Sequence, residues 1–283
     1  MSNTFPTDLV KQLSRNAAMT SLGPVLGAVN AFAYDVATDP QASGSTVQVD
    51  IVTDGTAAAS NPTNYETGDT TKVARQVTIS EVSKSFHVTQ AQLNKGHSLR
   101  NLIGKNMQLV ANAARDIVFA PITTTNYGAA ILDSTAADFV PADLKTIWAE
   151  CKDFPEKHLL IDGAWYAKLL PDNANSFRPG QSGAYGWDSI AMNNRWDGAG
   201  ADLIGFAGGR DALAIASGEP VIDASLLAQF DMYEEVELEG GLSAYVASWA
   251  STATRTRWMS IGLMIGAQVG DATAGRVIRD GSV

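Results

Sequence analysis

An α+β fold is predicted by three features of the 283-residue sequence. A run of about thirty residues from Thr89 to Ala120 carries apolar side chains at helical spacing. Two alternating runs, Thr46 to Thr53 and Val73 to Val88, flank a stretch with almost no apolar bulk, and the last fifty or so residues break into short strand-like segments.

Taken in order, Met1 to Ser45 reads as an arm. A short amphipathic piece (Leu9, Val10, Leu13) is followed by an apolar run punctuated by Gly23-Pro24, Gly27 and Asp39-Pro40, so the segment needs another surface to lie against. From Thr46 to Thr53, Val47, Val49 and Ile51 point one way and Gln48 and Asp50 the other, the period of a half-buried strand. Val73 to Val88 reads as its partner, through Val77 and Ile79, then Val82, Phe86 and Val88. Between them, Asp54 to Thr71 is mostly Gly, Ala, Ser, Asn, Pro and Thr, so the pair is expected to form a long two-stranded hairpin. Such a hairpin is marginal alone and packs on something else.

The helix follows. Thr89 with Gln92 makes a capping-box pattern, and Leu99, Leu102, Ile103, Met107, Val110, Ala114, Ile117 and Val118 recur on one stripe before Pro121 stops the run. About thirty residues of helix are roughly 45 Å long, and Gly96 and Gly104 each weaken it by about 1 kcal/mol. A helix of this length needs a sheet or other helices along its apolar stripe.

From Ala130 the elements shorten: a helix near Pro141 to Lys152, a strand His158 to Ile161, a turn at Asp162-Gly163, and a short helix ending at Pro171. Asn173 to Gly200 is loop-like, pinned by Trp187 and Trp196. Strands are expected over Tyr233 to Leu238, Leu242 to Trp249, Thr254 to Ala267 and Val277-Ile278, with Gly240-Gly241 as a hairpin turn. No repeat of fixed period occurs.

Apolar residues at 45% and charged residues at 18% exclude wholesale disorder. The single cysteine, Cys151, follows Leu144, Ile147 and Trp148 at helical spacing, which points to a buried small apolar residue and rules out an internal disulfide or a cysteine-type zinc site. Neither a leader-like N-terminus nor a membrane-length apolar run is present, so a soluble protein made and used in a reducing cytoplasm is expected.

A net charge of -10 argues against a protein whose whole task is to grip phosphate. The charge is uneven. Lys72 to Asp116 holds seven bases against two acids, and Ala130 to Leu242 holds seven against nineteen. Either these are two solvated faces of one monomer or they are complementary surfaces that meet between copies. On the second reading Lys72, Arg75 and Lys84 on one side and Glu235, Glu237 and Glu239 on the other are the candidate inter-subunit contacts. Reversing Lys72 and Arg75 to Glu should then impair assembly and leave the monomer folded.

Chemistry is sparse. The nucleophile-elbow, phosphate-loop and dinucleotide-loop patterns are absent, and Gly205-Phe206-Ala207-Gly208-Gly209 is a near miss with the wrong spacing. His87, His97 and His158 lie at no ligand spacing, and Glu234 to Glu239 lacks the glycine and ligand order of a calcium loop. As a strand, Glu235, Glu237 and Glu239 share one face, a solvated or partner-facing edge. A pair of carboxylates at glycosidase separation is neither indicated nor excluded. No catalytic, cofactor-binding or metal residue is assigned.

The order of parts resembles the major capsid proteins of tailed bacteriophages, the Hong Kong 97-type fold. The likeness is carried by Val77-Thr78-Ile79 leading through Val88-Thr89-Gln90 into Leu93 to Phe119, similar to an extended loop entering a spine helix. Leu159 to Leu169 resembles the strand and helix opening an axial domain, and Gly209 to Ala216 before Glu219-Pro220 resembles another axial segment. The resemblance implies an N-terminal arm (1–45), an extended β-hairpin loop (46–88), a peripheral domain with the spine helix (89–128), a mixed axial domain (129–245) and antiparallel return strands of the peripheral domain (246–283).

It further implies hexamers and pentamers of this chain, a hairpin lying over a neighbour, and a virion shell built in the host cytoplasm around DNA bound without sequence preference. Scaffolding, portal and decoration proteins are the implied partners. Because the arm begins almost at Met1, a separate scaffolding protein or none is expected, and no local motif supports a lysine cross-link from Lys72. Three alternatives remain: an encapsulin-like nanocompartment, a β-rich phage tail or adhesin protein, and a hydrolase with an unrecognised carboxylate site.

Overall fold

The structure, a computed structural model, describes residues 7–33, 36–41, 44–53, 71–89, 96–170, 186–193, 196, 202–238, 241–251 and 256–282. Two long helices, α1 (Thr7–Phe32) and α2 (Gly96–Phe119), and one shorter, α3 (Asp143–Glu150), pack with thirteen described strands. These are β1 (Val36–Gln41), β2 (Thr46–Thr53), β3 (Thr71–Thr78), β4 (Ser80–Val88), β5 (Leu132–Asp133), β6 (His158–Ile161), β7 (Ser189–Met192), β8 (Leu203–Gly208), β9 (Leu213–Pro220), β10 (Met232–Glu237), β11 (Ser243–Ser251), β12 (Thr256–Val269) and β13 (Gly275–Arg279).

The N-terminal segment differs from the broken arm expected of it. α1 runs through Gly23-Pro24 without a break for 26 residues. Pro24 has no N–H to give the preceding turn, which normally costs about 3 kcal/mol in a helix interior. Packing outweighs that cost: Val10, Ser14, Ala18, Leu22, Val25, Val29 and Phe32 form a buried stripe that joins the main core beside α2. The α2 stripe is the expected one, with Leu99, Ile103, Met107, Val110, Ala114 and Val118 buried, and the helix begins at Gly96. Gln92 of the capping-box pattern lies outside the described residues.

Beneath the helices is a six-stranded sheet in the order β1-β9-β12-β11-β10, with β4 on β12. The 14-residue β12 is its axis. Met264 and Ile265 pair with both β4 and β9, so β4 takes one edge of β12 while β9 and β11 follow one another along the other. Paired residues share a face. Met259, Ile261, Leu263 and Ile265, with Phe86, Ala244 and Val246, therefore form one apolar face, and α1 and α2 cover it.

The run expected as a single strand from Val73 to Val88 is two strands in two sheets. Among the described residues β3 pairs only with β2, from Thr46 opposite Thr78 to Thr53 opposite Thr71, whereas β4 joins β12. The break falls at Ile79, whose N–H donates to the Ser45 carbonyl at 2.9 Å and whose carbonyl accepts from Gly44 N–H at 2.8 Å. The apolar parity switches there, from odd positions (Val77, Ile79) to even ones (Val82, Phe86, Val88), and one straight strand cannot bury both sets. The hairpin base crosses the sheet at β12, burying Val47, Val49, Ile51, Val77 and Ile79 against Ala214, Ala216 and Met264. A Cβ at Gly266 would stand 2.2 Å from the Thr78 carbonyl oxygen, so only glycine allows this crossing.

A five-stranded sheet, β5-β13-β8-β6-β7, forms the second layer system. Both its faces are covered, which is why β6 and β8 read as unbroken apolar runs. On one side Leu159, Ile161, Ile204 and Ile278 pack with Leu144, Ile147 and Cys151 around α3. On the other, Leu160, Phe206 and Val277 join the main core, where Phe206 meets Phe32 and Tyr127 with ring centroids 5.0 and 4.9 Å apart. Trp187 and Trp196 are buried anchors, Trp196 stacking on Phe119 at 5.4 Å. The final strand β13 lies in this second sheet beside β5 and β8, so the chain ends in the sheet that holds β6.

Candidate functional site

The hairpin separates the two bases assigned to it. In the β2–β3 ladder Val49 faces Arg75 and Val52 faces Lys72, and these two pairs lie on opposite faces. Lys72 and Val52 point to solvent, Val52 being 51% exposed. Arg75 shares the inward face with Val47, Val49 and Val77, and its Nε donates to the Gly270 carbonyl at 3.1 Å. Beside it the buried Tyr127 hydroxyl donates to the Ala212 carbonyl at 2.6 Å, and burial raises its pKa. Arg75 is thus engaged within its own subunit, and reversing it is no clean probe of assembly. Lys84 is exposed on β4, opposite Ile261.

The acidic run forms strand β10, an edge of the six-stranded sheet. Its parity divides it. Val236 and Glu234 point to the helices, where Glu234 pairs with Lys11 of α1, while Glu235 and Glu237 lie on the other face, opposite Tyr245 and Ser243. Glu239 lies outside the described residues. The Glu235 carboxyl is pushed up to about 7, first by desolvation and then by its hydrogen bond to the Glu219 carboxyl. Hydrogen-bonded carboxyls are closer than the roughly 5–10 Å that glycoside hydrolysis requires.

The sheet face bearing Glu235 and Glu237 holds a feature that the sequence reading missed. Among the described residues no helix packs across it, and the hairpin covers only its Met264 end. Six rings cross it as a continuous ribbon: Tyr245, Tyr233, Phe230, Trp249, Trp258 and His87, with successive centroids 6.0, 6.0, 5.7, 6.4 and 5.6 Å apart. Glu81 edges it, accepting from the Tyr245 hydroxyl at 2.5 Å. The signal was present as period-two aromatics (Tyr245 and Trp249), but only pairing aligns them with His87 and Trp258, about 170 residues apart in sequence. Half-buried aromatic surface rimmed by charge is the composition of protein interfaces.

Elsewhere the chemistry-bearing groups are structural. The near-miss glycines sit in or just after β8, where a Cβ at Gly208 would meet the Ala274 carbonyl at 2.7 Å, so they serve close packing. His158 Nδ1 lies 2.8 Å from Ser189 Oγ, and its Nε2 3.4 Å from Glu156. Burial raises the Cys151 thiol to about 12, which keeps it protonated. Among the described residues no three His, Cys, Asp or Glu side chains are grouped to hold a metal ion, and no helix is long and apolar enough to cross a membrane.

No family model matches the chain, and no curated protein matches it. Solved structures do. A virus-like particle from Pyrococcus furiosus superposes with a TM-score of 0.53 at 14% identity, over 94% of this chain and 98% of that one. The capsid of the cyanophage P-SCSP1u gives 0.52 at 14% over 87% and 86%, and Mycobacterium phage Cain 0.52 at 12% over 89% of each. The likeness is one of fold. The chain has the α+β, phage-capsid type fold expected from the resemblance.

Proposed function

We propose that this chain is a structural major capsid protein, which self-assembles into an icosahedral shell around the double-stranded DNA of a tailed phage and catalyses no reaction. One observation carries this reading: similarity in fold to capsid and virus-like particle structures covers 94% of this chain and 98% of the first, and 87% and 86% for the second. A β-rich adhesin has no place for the 26- and 24-residue helices of the main core.

In this reading the subunits associate as hexamers and pentamers. Lys72 and Lys84 of one copy meet the acidic sheet edge of another at Glu235, Glu237 and Glu239, with the ring ribbon supplying apolar area. Arg75 holds the hairpin base against its own subunit. A separate scaffolding protein, a portal protein and a decoration protein are the partners proposed, assembly takes place in the host cytoplasm, and the mature location is the virion.

The test is negative-stain electron microscopy with solution mass on the chain expressed alone. Closed particles, or rings of five and six, are the expected result. A monomer that persists with crowding agent and added scaffold refutes the shell reading. Nuclease-protected DNA inside particles, against a packaged enzyme, separates a genome shell from an encapsulin-like one.

A further inference from the structure

The two surfaces of the main layer differ in charge. The uncovered sheet face carries Glu81, Glu235 and Glu237. On the opposite side, the two long helices contain five bases (Lys11, Arg15, Arg100, Lys105 and Arg115) against two acids near their ends, Asp8 and Asp116, in a chain of net charge -10. The remaining exposed positions there are mostly uncharged, including Gln12, Asn16, Thr20, Asn101 and Gln108, with Met19 and Leu109 between them.

Not all five bases are available. Lys11 is paired with Glu234, and Arg115 bonds the Asn193 and Asn112 side chains. Arg15 stands at the β10 edge in a cleft of about 520 Å³ shared with Glu234, Glu235 and Glu237. Arg100 and Lys105 have no acidic partner among the described residues. They line a second cleft, about 330 Å³, where α1 meets α2. Across from them stand the amide of Asn16 and the hydroxyls of Thr20 and Ser21, and Gly104 forms part of the α2 wall. The Thr20 hydroxyl is already committed to the Asn16 carbonyl at 2.8 Å. Two unneutralised cations beside neutral hydrogen-bonding groups, with no acid near, suit a phosphodiester and repel nothing in it. The overall negative charge does not oppose this, because screening confines the interaction to about 10 Å at 0.1 M salt.

We infer that the outer surface of the α1–α2 layer, centred on Arg100 and Lys105, is the face that contacts the phosphate backbone of double-stranded DNA without reading its sequence. The inference rests on the shell reading, and it gives the two sides of the subunit separate tasks: the acidic, aromatic sheet face meets protein, and the basic helical face meets the genome. Occupancy by an acidic polypeptide is the competing outcome of the test.

The experiment measures anisotropy of a labelled DNA duplex with full-length, unassembled chain over about 50–200 mM salt. Each phosphate neutralised contributes about 0.9 to the slope of log affinity against log salt, so R100Q/K105Q should lower that slope by about 2. R100K/K105R should keep it, and K72Q, on the solvent face of the hairpin, should leave it unchanged. The inference is overturned by an unaltered slope in R100Q/K105Q, by a wild-type chain that does not bind the duplex at 50 mM, or by displacement of the duplex by poly-glutamate at equal charge. Particle formation is scored separately on each variant. Normal particles with an unaltered slope sink the DNA-face inference alone, and a changed slope in a chain that never forms particles or rings sinks the shell reading alone.

Discussion

Charge reversal on the hairpin separates fold from assembly. Lys72 and Arg75 are three residues apart, yet the ladder puts Lys72 on the solvent face and Arg75 on the face that holds the hairpin to its own subunit. Arg75→Glu removes a charged hydrogen bond worth about 1.5–3 kcal/mol and places a carboxylate against the Gly270 carbonyl and near Asp271, for a total loss of about 2–4 kcal/mol. For a chain of this size that lowers the melting temperature by roughly 5–10 °C. Lys72→Glu should change stability by no more than about 0.5 kcal/mol. Its effect belongs to assembly, and it should weaken as salt screens the contact. Thermal unfolding and sedimentation of both variants at low and high salt make the comparison. Arg75→Glu with an unshifted midpoint and an assembly defect equal to that of Lys72→Glu would show that Arg75 faces a neighbour.

Three further outcomes follow from particular side chains. Cys151, buried with its thiol raised to about 12, should resist Ellman's reagent at pH 8 in the folded chain and react fully in denaturant; rapid native labelling would contradict the α3 packing. The Glu235 carboxyl, raised to about 7, binds its proton more tightly folded than unfolded, so its contribution to stability is present below its ordinary pKa of 4.5 and is lost as pH rises to about 7. Glu235→Gln should therefore raise the urea midpoint at pH 8 and hardly move it at pH 4, and an equal change at both would remove the carboxyl pair as the cause. At Gly104 a Cβ meets nothing within 4 Å, so Gly104→Ala should stabilise α2 by about 0.5–1 kcal/mol, and a loss of stability by calorimetry would mean the cleft wall is packed.

Periodicity along the chain made several elements legible: the α2 stripe from Leu99 to Val118, the alternation of Val47, Val49 and Ile51, the apolar run of His158 to Ile161 and the closing strands. The fold class followed from their order. Misreadings came where a local rule met a non-local force. Gly23-Pro24 reads as a break, and burial of Leu22, Val25 and Val29 overrides it. The division at Ile79 was written in the parity switch, yet which sheet each half joins depends on β12, some 180 residues later.

The candidate surfaces divide in the same way. Where bases and acids concentrate, and that Glu235 and Glu237 share a face, could be read from the sequence, because charge and a two-residue period are local properties. It took the packed fold to tie Arg75 to Gly270, to align six rings from four strands and an adjoining turn, and to stand Arg100 and Lys105 across a cleft from Asn16. Each of these depends on which segments pair across long loops, and many pairings satisfy the same local pattern; burial of both helical stripes on one face of the β12 sheet selects among them.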